Sequence, residues 1–367
     1  MFSKENRLIR VLLSENGVRS MVVGRLLVFI LASYLLLGCV GQGAGSGAAR
    51  LYWPPPPNPP RMVHEATLRS VVAVSSDLTM SDRMKALAVG EAADQPGMEK
   101  PYDVAARHGL LAVSDTRAGV VYVFDLVRGR VFPIGWRGEG KLGRPGGVAI
   151  DNQDRIYVAD SGRNVVVAYD GYGLFLQTIG KSSDFEHLVD VAVSADGRTI
   201  YALDRGELES KSHQIRVYSA DGKLVNTLSG RGELPGQLNN PTQIAVSDQG
   251  EIFVLDAGNF RVQVLGSDGT FLRMWGRAGQ GLGDLARPRG LAVDTRGHVY
   301  ITDSAFQNLQ IFDDQGRLLL TMGEAGLDEP GKFALPGGVA VDAQGNIFIV
   351  DQLYRKVEVW RMLNSDL

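Results

Sequence analysis

Pro241-Thr-Gln-Ile-Ala-Val-Ser-Asp-Gln-Gly-Glu-Ile-Phe-Val-Leu-Asp-Ala-Gly-Asn-Phe-Arg-Val-Gln-Val264 decides the fold. Ile244-Ala-Val246 is a short apolar run, Ser247 to Gly250 a tight-turn cluster, and Ile252 to Leu255 a second apolar run closed by Asp256. Arg261-Val-Gln-Val-Leu265 then alternates polar with apolar. Short runs rich in Val, Ile and Phe between Gly/Asp/Asn clusters are strands joined by hairpins. No helical spacing of apolar residues runs through the stretch.

The same pattern occurs six times. The other copies run from Pro101 to Asp115, Pro145 to Asp160, Leu188 to Asp204, Pro288 to Asp303 and Pro336 to Asp351, Leu188 standing in place of the proline. Their closing residues, Asp115, Asp160, Asp204, Asp256, Asp303 and Asp351, lie 45, 44, 52, 47 and 48 positions apart. That period suits a four-stranded propeller blade. Gly109, Gly197, Gly250, Gly297 and Gly345 supply the first hairpin turn, with Asp154-Arg155 in the second unit. Turns such as Ser267-Asp-Gly269 lead to an outer strand such as Phe271-Leu-Arg-Met-Trp275. Alanine recurs at 105, 149, 192, 245, 292 and 340, as expected where innermost strands crowd one axis. The 45 glycines and a 44% hydrophobic content agree with many short strands around a packed core.

The sixth copy stops after its third strand, Lys356-Val-Glu-Val-Trp360, and a spare strand, residues 61–70, precedes the first. The expectation is an all-β, six-bladed β-propeller over 61–367, closed by this N-terminal strand and therefore without an open edge. A ring closed by its own strand predicts a monomeric propeller. One short helical insertion is expected over 79–93, with Ser81 as N-cap and Met84, Leu87 and Ala88 on one face.

Ahead of the propeller, residues 26–38 are an apolar run behind Arg25, too short to span a bilayer. Leu36-Leu37-Gly38-Cys39 resembles the lipobox of bacterial lipoproteins, which implies a signal peptide over 1–39 and lipid attachment at Cys39. An ordinary signal peptide, or a membrane anchor, with a coincidental cysteine is the alternative. Residues 1–20 carry mixed charge, and Met21 starts a more ordinary signal. Residues 40–60, glycine-rich and then Trp53-Pro-Pro-Pro-Pro-Asn-Pro-Pro60, read as a tether with a polyproline II spacer, or as a segment packed along the propeller wall. Val40-Gly41 lacks the Asp that often retains lipoproteins at the inner membrane, so an outer-membrane destination is expected in a host with two membranes.

The stretch 241–264 and the loop Gly276 to Pro288 resemble the NHL repeat, and the similarity covers residues 101–363. The Asn-x-Arg of that motif is complete only as Asn259 and Arg261; Asn308 and Lys356 stand at the Arg position in units five and six. The resemblance implies a propeller whose loops after the second strand and before the next blade share one face. It leaves function open, since such propellers include RNA binders, protein-binding modules, sensor domains and an amidating lyase.

Net charge of −3 gives no case for nucleic acid, and RNA binding conflicts with export. One cysteine excludes an internal disulfide and a multi-cysteine metal site. Among catalytic motifs there is no Gly-x-Ser-x-Gly elbow, His-Glu-x-x-His or phosphate-cradling loop. Each repeated Asp is expected to accept backbone N–H groups in the turn that follows it. The position before each inner apolar run is more informative. It holds Gly147, Gly290 and Gly338, but Asp103, Asp190 and Gln243 in the remaining units. Those three polar groups either ligate a cation such as Ca²⁺ at the channel mouth, with Asp103 and Asp190 as metal candidates, or bond neighbouring loops. Arg163, Arg261 and Arg289 join them as candidate partner-binding residues on a mixed-charge loop face that includes Glu139, Glu233, Asp284, Glu324 and Asp328. Trp136 and Trp275 are anchors or core. The functional expectation is an envelope scaffold that binds a protein or ligand; a metal-dependent lyase or lactonase-like hydrolase is the alternative.

Overall fold

A computed structural model describes residues 50–69, 71, 84, 97–207 and 209–363. Six sheets surround one axis, and the inner strand of each blade packs on the next, the last on the first. Blade 1 comprises Pro101–Arg107, Leu110–Asp115, Val120–Asp125 and Arg130–Ile134, antiparallel throughout. Blades 2 to 5 repeat that order, with inner strands Pro145–Ile150, Leu188–Val193, Gln243–Val246 and Pro288–Val293. The hairpin glycines expected at the first turn all have positive φ, as does Asp154 at 61°, so the turn chemistry sets the register in each blade.

Blade 6 comprises Pro336–Val341, Asn346–Asp351 and Lys356–Met362, and the N-terminal strand Met62–Leu68 pairs beside Lys356–Met362. Met62, Val63, Ala66 and Leu68 are buried by that pairing. Each large apolar side chain so buried contributes roughly 1.5–3 kcal/mol. Residues 51–60 differ from the spacer expectation. Tyr52–Trp53 forms a fifth strand against Val63 and Met62, and the Trp53 indole N–H donates to the Thr321 carbonyl of blade 5. An indole with an apolar body and one donor gains more from this wall than from solvent, so the proline run folds back as a turn. The helix expected over 79–93 lies outside the described residues except for Met84, which is helical and buried.

Apolar residues gather, among the described residues, into six clusters, one between each pair of neighbouring blades. The recurring alanines sit in or against these clusters, where the inner strands converge.

Candidate functional site: the axis and its two mouths

Asp103, Asp190 and Gln243 do meet at the axis, and each bridges to the inner strand of the following blade. Asp103 Oδ2 accepts the Val148 N–H at 2.9 Å, Asp190 Oδ2 the Ile244 N–H at 2.7 Å, and Gln243 Oε1 the Leu291 N–H at 3.3 Å. Asp190 Oδ1 also accepts from Val191 at 2.8 Å. The glycines at the matching positions make the room. A Cβ on Gly147 would overlap the Asp190 carboxylate, and one on Gly338 would overlap Asp103. Gly147 and Gly338 are thus the steric complement of the two Asp side chains, whereas Gly290 makes room for the Gly337 carbonyl and the Thr302 hydroxyl.

Burial pushes the Asp103 carboxyl up to about 7, against hydrogen bonds from Val148, Val104 and Gln243 that favour its charged form. Burial also holds Asp190 well above the carboxylate range, and the neighbouring Asp103 charge adds to it. A calcium ion requires six to eight oxygens. Here the donors are two carboxylates and one amide already engaged by backbone N–H groups. No three His, Cys, Asp or Glu side chains converge among the described residues. The cluster does not fit a calcium ion; it fits an interblade bolt.

Five of the six repeated Asp residues accept turn N–H groups as expected, and Asp256 takes the Asn259, Arg261 and Gln263 side chains instead. Asp115 accepts from the N–H groups of Glu99, Lys100, Arg117 and Ala118, and Asp351 from those of Ala334, Leu335, Leu353 and Tyr354. Each ties the incoming interblade loop to its own blade and is buried.

Of the candidate arginines, Arg261 is corrected. Its buried guanidinium donates to Asp256 at 2.8 Å and to the carbonyls of Glu233, Leu234 and Gln237, leaving nothing for a partner. Lys356 clamps the Glu329 and Lys332 carbonyls in the same way and pairs with buried Glu358 at 2.6 Å. Arg163 and Arg289 stay half-buried on the loop face. Arg163 Nη1 donates to the Lys141 carbonyl at 2.7 Å, and Arg289 Nη2 reaches Gln352 at 3.5 Å. Beside them stand Tyr102 and Arg205, which the sequence reading did not single out. Tyr102 occupies the second inner-strand position, as Arg289 does, and Arg205 follows its repeated Asp as Gln352 does; aligning the blades position by position reveals both. Burial raises the Tyr102 phenol, with Arg289 and Arg205 opposing the rise. Burial lowers His187, and the Arg205 and Arg144 charges lower it further. Buried His213 bonds the Asn240 N–H and the Glu207 carbonyl, a loop support.

The mixed-charge expectation resolves into two zones. Asp284 pairs with Arg277, Glu324 with Lys332, and Asp328 with Arg69 and Lys356, all in peripheral loops. Trp136 is 52% exposed with the Arg137 guanidinium stacked 4.0 Å above it, whereas Trp275 packs edge-on against Phe253. At the opposite mouth the inner-strand ends of all six blades line a cavity of about 500 Å³, including Arg107, Asp248, Asp294 and Asp342. Arg107 crosses it, bonding Asn152 and reaching Asp248 at 3.8 Å.

This geometry defines a closed propeller with a bolted axis and a built loop face. The NHL repeat family model matches residues 142–169, 238–265 and 285–312, which lie in blades 2, 4 and 5. The chain is an NHL-repeat six-bladed β-propeller. It is 29% identical over 117 residues to NHL repeat-containing protein 3 of Mus musculus, covering 30% of this chain and 33% of that protein. It is 28% identical over 122 residues to Protein brain tumor of Drosophila melanogaster, covering 32% and 11%. The chain thus spans about a third or less of the length of these relatives. Among solved structures, a gluconolactonase from Xanthomonas campestris superposes with a TM-score of 0.54 at 18% identity, covering 72% of this chain and 86% of the other. A streptogramin B lyase superposes with a TM-score of 0.51 at 12% identity, covering 72% and 94%. At such identities the likeness concerns the fold.

Proposed function

We propose that the protein is a lipid-anchored envelope scaffold that docks a partner protein through its loop face. One observation carries this reading. Leu234, Leu282 and Leu327 stand 66%, 78% and 79% exposed at the tips of three successive interblade loops. Large apolar side chains repeated at equivalent exposed loop tips mark an interaction surface. Their loops are not loose. Arg261 and Lys356 clamp two of them, and the third is held by Asp284, which pairs with Arg277 and accepts the Gly281 N–H. Residues 36–39 and the single cysteine support anchoring at Cys39, and Val40-Gly41 supports the outer membrane in a host with two membranes.

A photo-crosslinking amino acid placed at position 282 or at position 344, on opposite faces, tests this in native membranes. A discrete adduct is expected from 282, none from 344, and loss of the adduct when Cys39→Ser frees the chain from the membrane. Adducts from both positions equally, or from neither, overturn the reading.

A further inference from the structure

Charge is sorted between the two faces in a way the sequence does not display. On the hairpin-turn face the cations are paired: Arg155 with Asp151, Arg198 with Asp196, Arg273 with Glu251, Arg296 with Asp294 and Arg317 with Asp313. Around the loop-face mouth they are not. Arg117, Arg144, Arg205, Arg287, Arg289 and Arg355 form no ion pair among the described residues, and they come from blades 1, 2, 3, 5 and 6. The repeated Asp residues nearest in sequence are buried with their oxygens turned to backbone N–H groups, Asp256 excepted, which takes the Asn259, Arg261 and Gln263 side chains, so they make no direct pair with these guanidinium groups. Of the acids on this rim, Glu186 accepts from the Glu207 N–H and the Ser212 hydroxyl, and Glu99 is exposed. Arg205 and Arg144 both act on His187, with Glu207 and Asp204 opposing them, and Arg205 and Arg289 both act on Tyr102, with Asp103 and Asp190 opposing them.

Guanidinium groups that bond no acid of their own chain keep their donors for a partner of opposite sign. Resting on the docking reading above, we infer that the partner presents an acidic, carboxylate-rich peptide segment to this crown while apolar side chains of the same segment meet Leu234, Leu282 and Leu327. Guanidinium groups suit carboxylates because they offer paired donors in a planar fork. The surrounding leucines favour a peptide over a nucleic acid, whose bases require aromatic stacking platforms. The exposed aromatic on this rim, Trp136, is already covered by Arg137.

The experiment titrates the purified full chain with three labelled probes: a Glu/Leu dodecapeptide, its Lys/Leu counterpart and a single-stranded oligouridylate of equal charge. Expected is binding of the Glu/Leu peptide alone, weakened at raised salt. The double variant R287E/R289E is expected to lower that affinity by about ten-fold or more, whereas R198E/R317E on the other face leaves it unchanged. Oligouridylate binding as tight as the peptide, or no probe binding at all, overturns the inference. The position-282 adduct, repeated in R287E/R289E, separates the two readings: its persistence keeps loop-face docking and removes the acidic partner, and its absence in the unmutated chain removes both.

Discussion

At the residue scale the axis is governed by one carboxyl pair. Asp103 and Asp190 join blade 1 to blade 2 and blade 3 to blade 4, in a position where burial disfavours charge on either. The folded chain therefore retains a proton at pH values where the unfolded chain, with an Asp value of 3.8, has released it. Stability linked to this pair is full below the unfolded value and declines as pH rises toward about 7. Thermal melts of the wild type between those limits should show Tm falling by several degrees toward neutrality. Asp103→Asn, which removes one ionisable partner and retains an oxygen for the Val148 N–H, should flatten most of that fall. An unchanged slope in this variant would assign the proton elsewhere.

At the scale of the strand, the third strand of blades 2 to 6 holds the preceding loop in place, with different residues doing so in different blades. In blade 4 Arg261 and Gln263 reach the carbonyls of the 229–241 loop; in blade 6 Lys356 and Glu358 hold the 323–335 loop, Glu358 accepting the Gly331 N–H at 2.9 Å. Burial raises the Glu358 carboxyl, and the Lys356 ammonium opposes that rise. Removing the cation alone strands a buried acid. Lys356→Ala should cost about 3–5 kcal/mol in chemical denaturation, whereas Lys356→Arg, the residue of the same position in blade 4, should cost under about 1.5 kcal/mol. Equal losses in the two variants would show that packing volume, not the ion pair, matters here.

At the scale of the molecule, closure depends on a strand 289 to 300 residues away in the chain from the one it pairs with: Met62 lies opposite Met362 and Leu68 opposite Val357. Deleting residues 51–69 should expose the Lys356–Met362 edge together with Trp360 and Val359. Such an edge templates association. Sedimentation should then show oligomers, and hydrogen exchange at 356–362 should rise at least ten-fold; a monomer with unchanged exchange would mean the ring closes without this strand.

Six copies of one strand-turn-strand pattern, the spare early strand, the glycine turns and the Asp that closes each second strand were all legible in the residues, because they rest on local geometry: short apolar runs between turn residues, positive φ and short-range hydrogen bonds. The convergence of Asp103, Asp190 and Gln243 was legible too, since a crowded axis makes any non-glycine there conspicuous. Their role was not, because whether an oxygen faces a cation or the next blade's N–H is settled by how blades dock. Nor was the fate of Arg261, drawn into a clamp by a loop 24 to 28 residues earlier in the chain. The choice between spacer and wall-packed segment for residues 51–60, the pairing of some cations and not of others, and the division of the two mouths likewise came from tertiary structure alone. Sequence proximity governs turns and strands; which charges find partners depends on surfaces that meet only when the ring has closed.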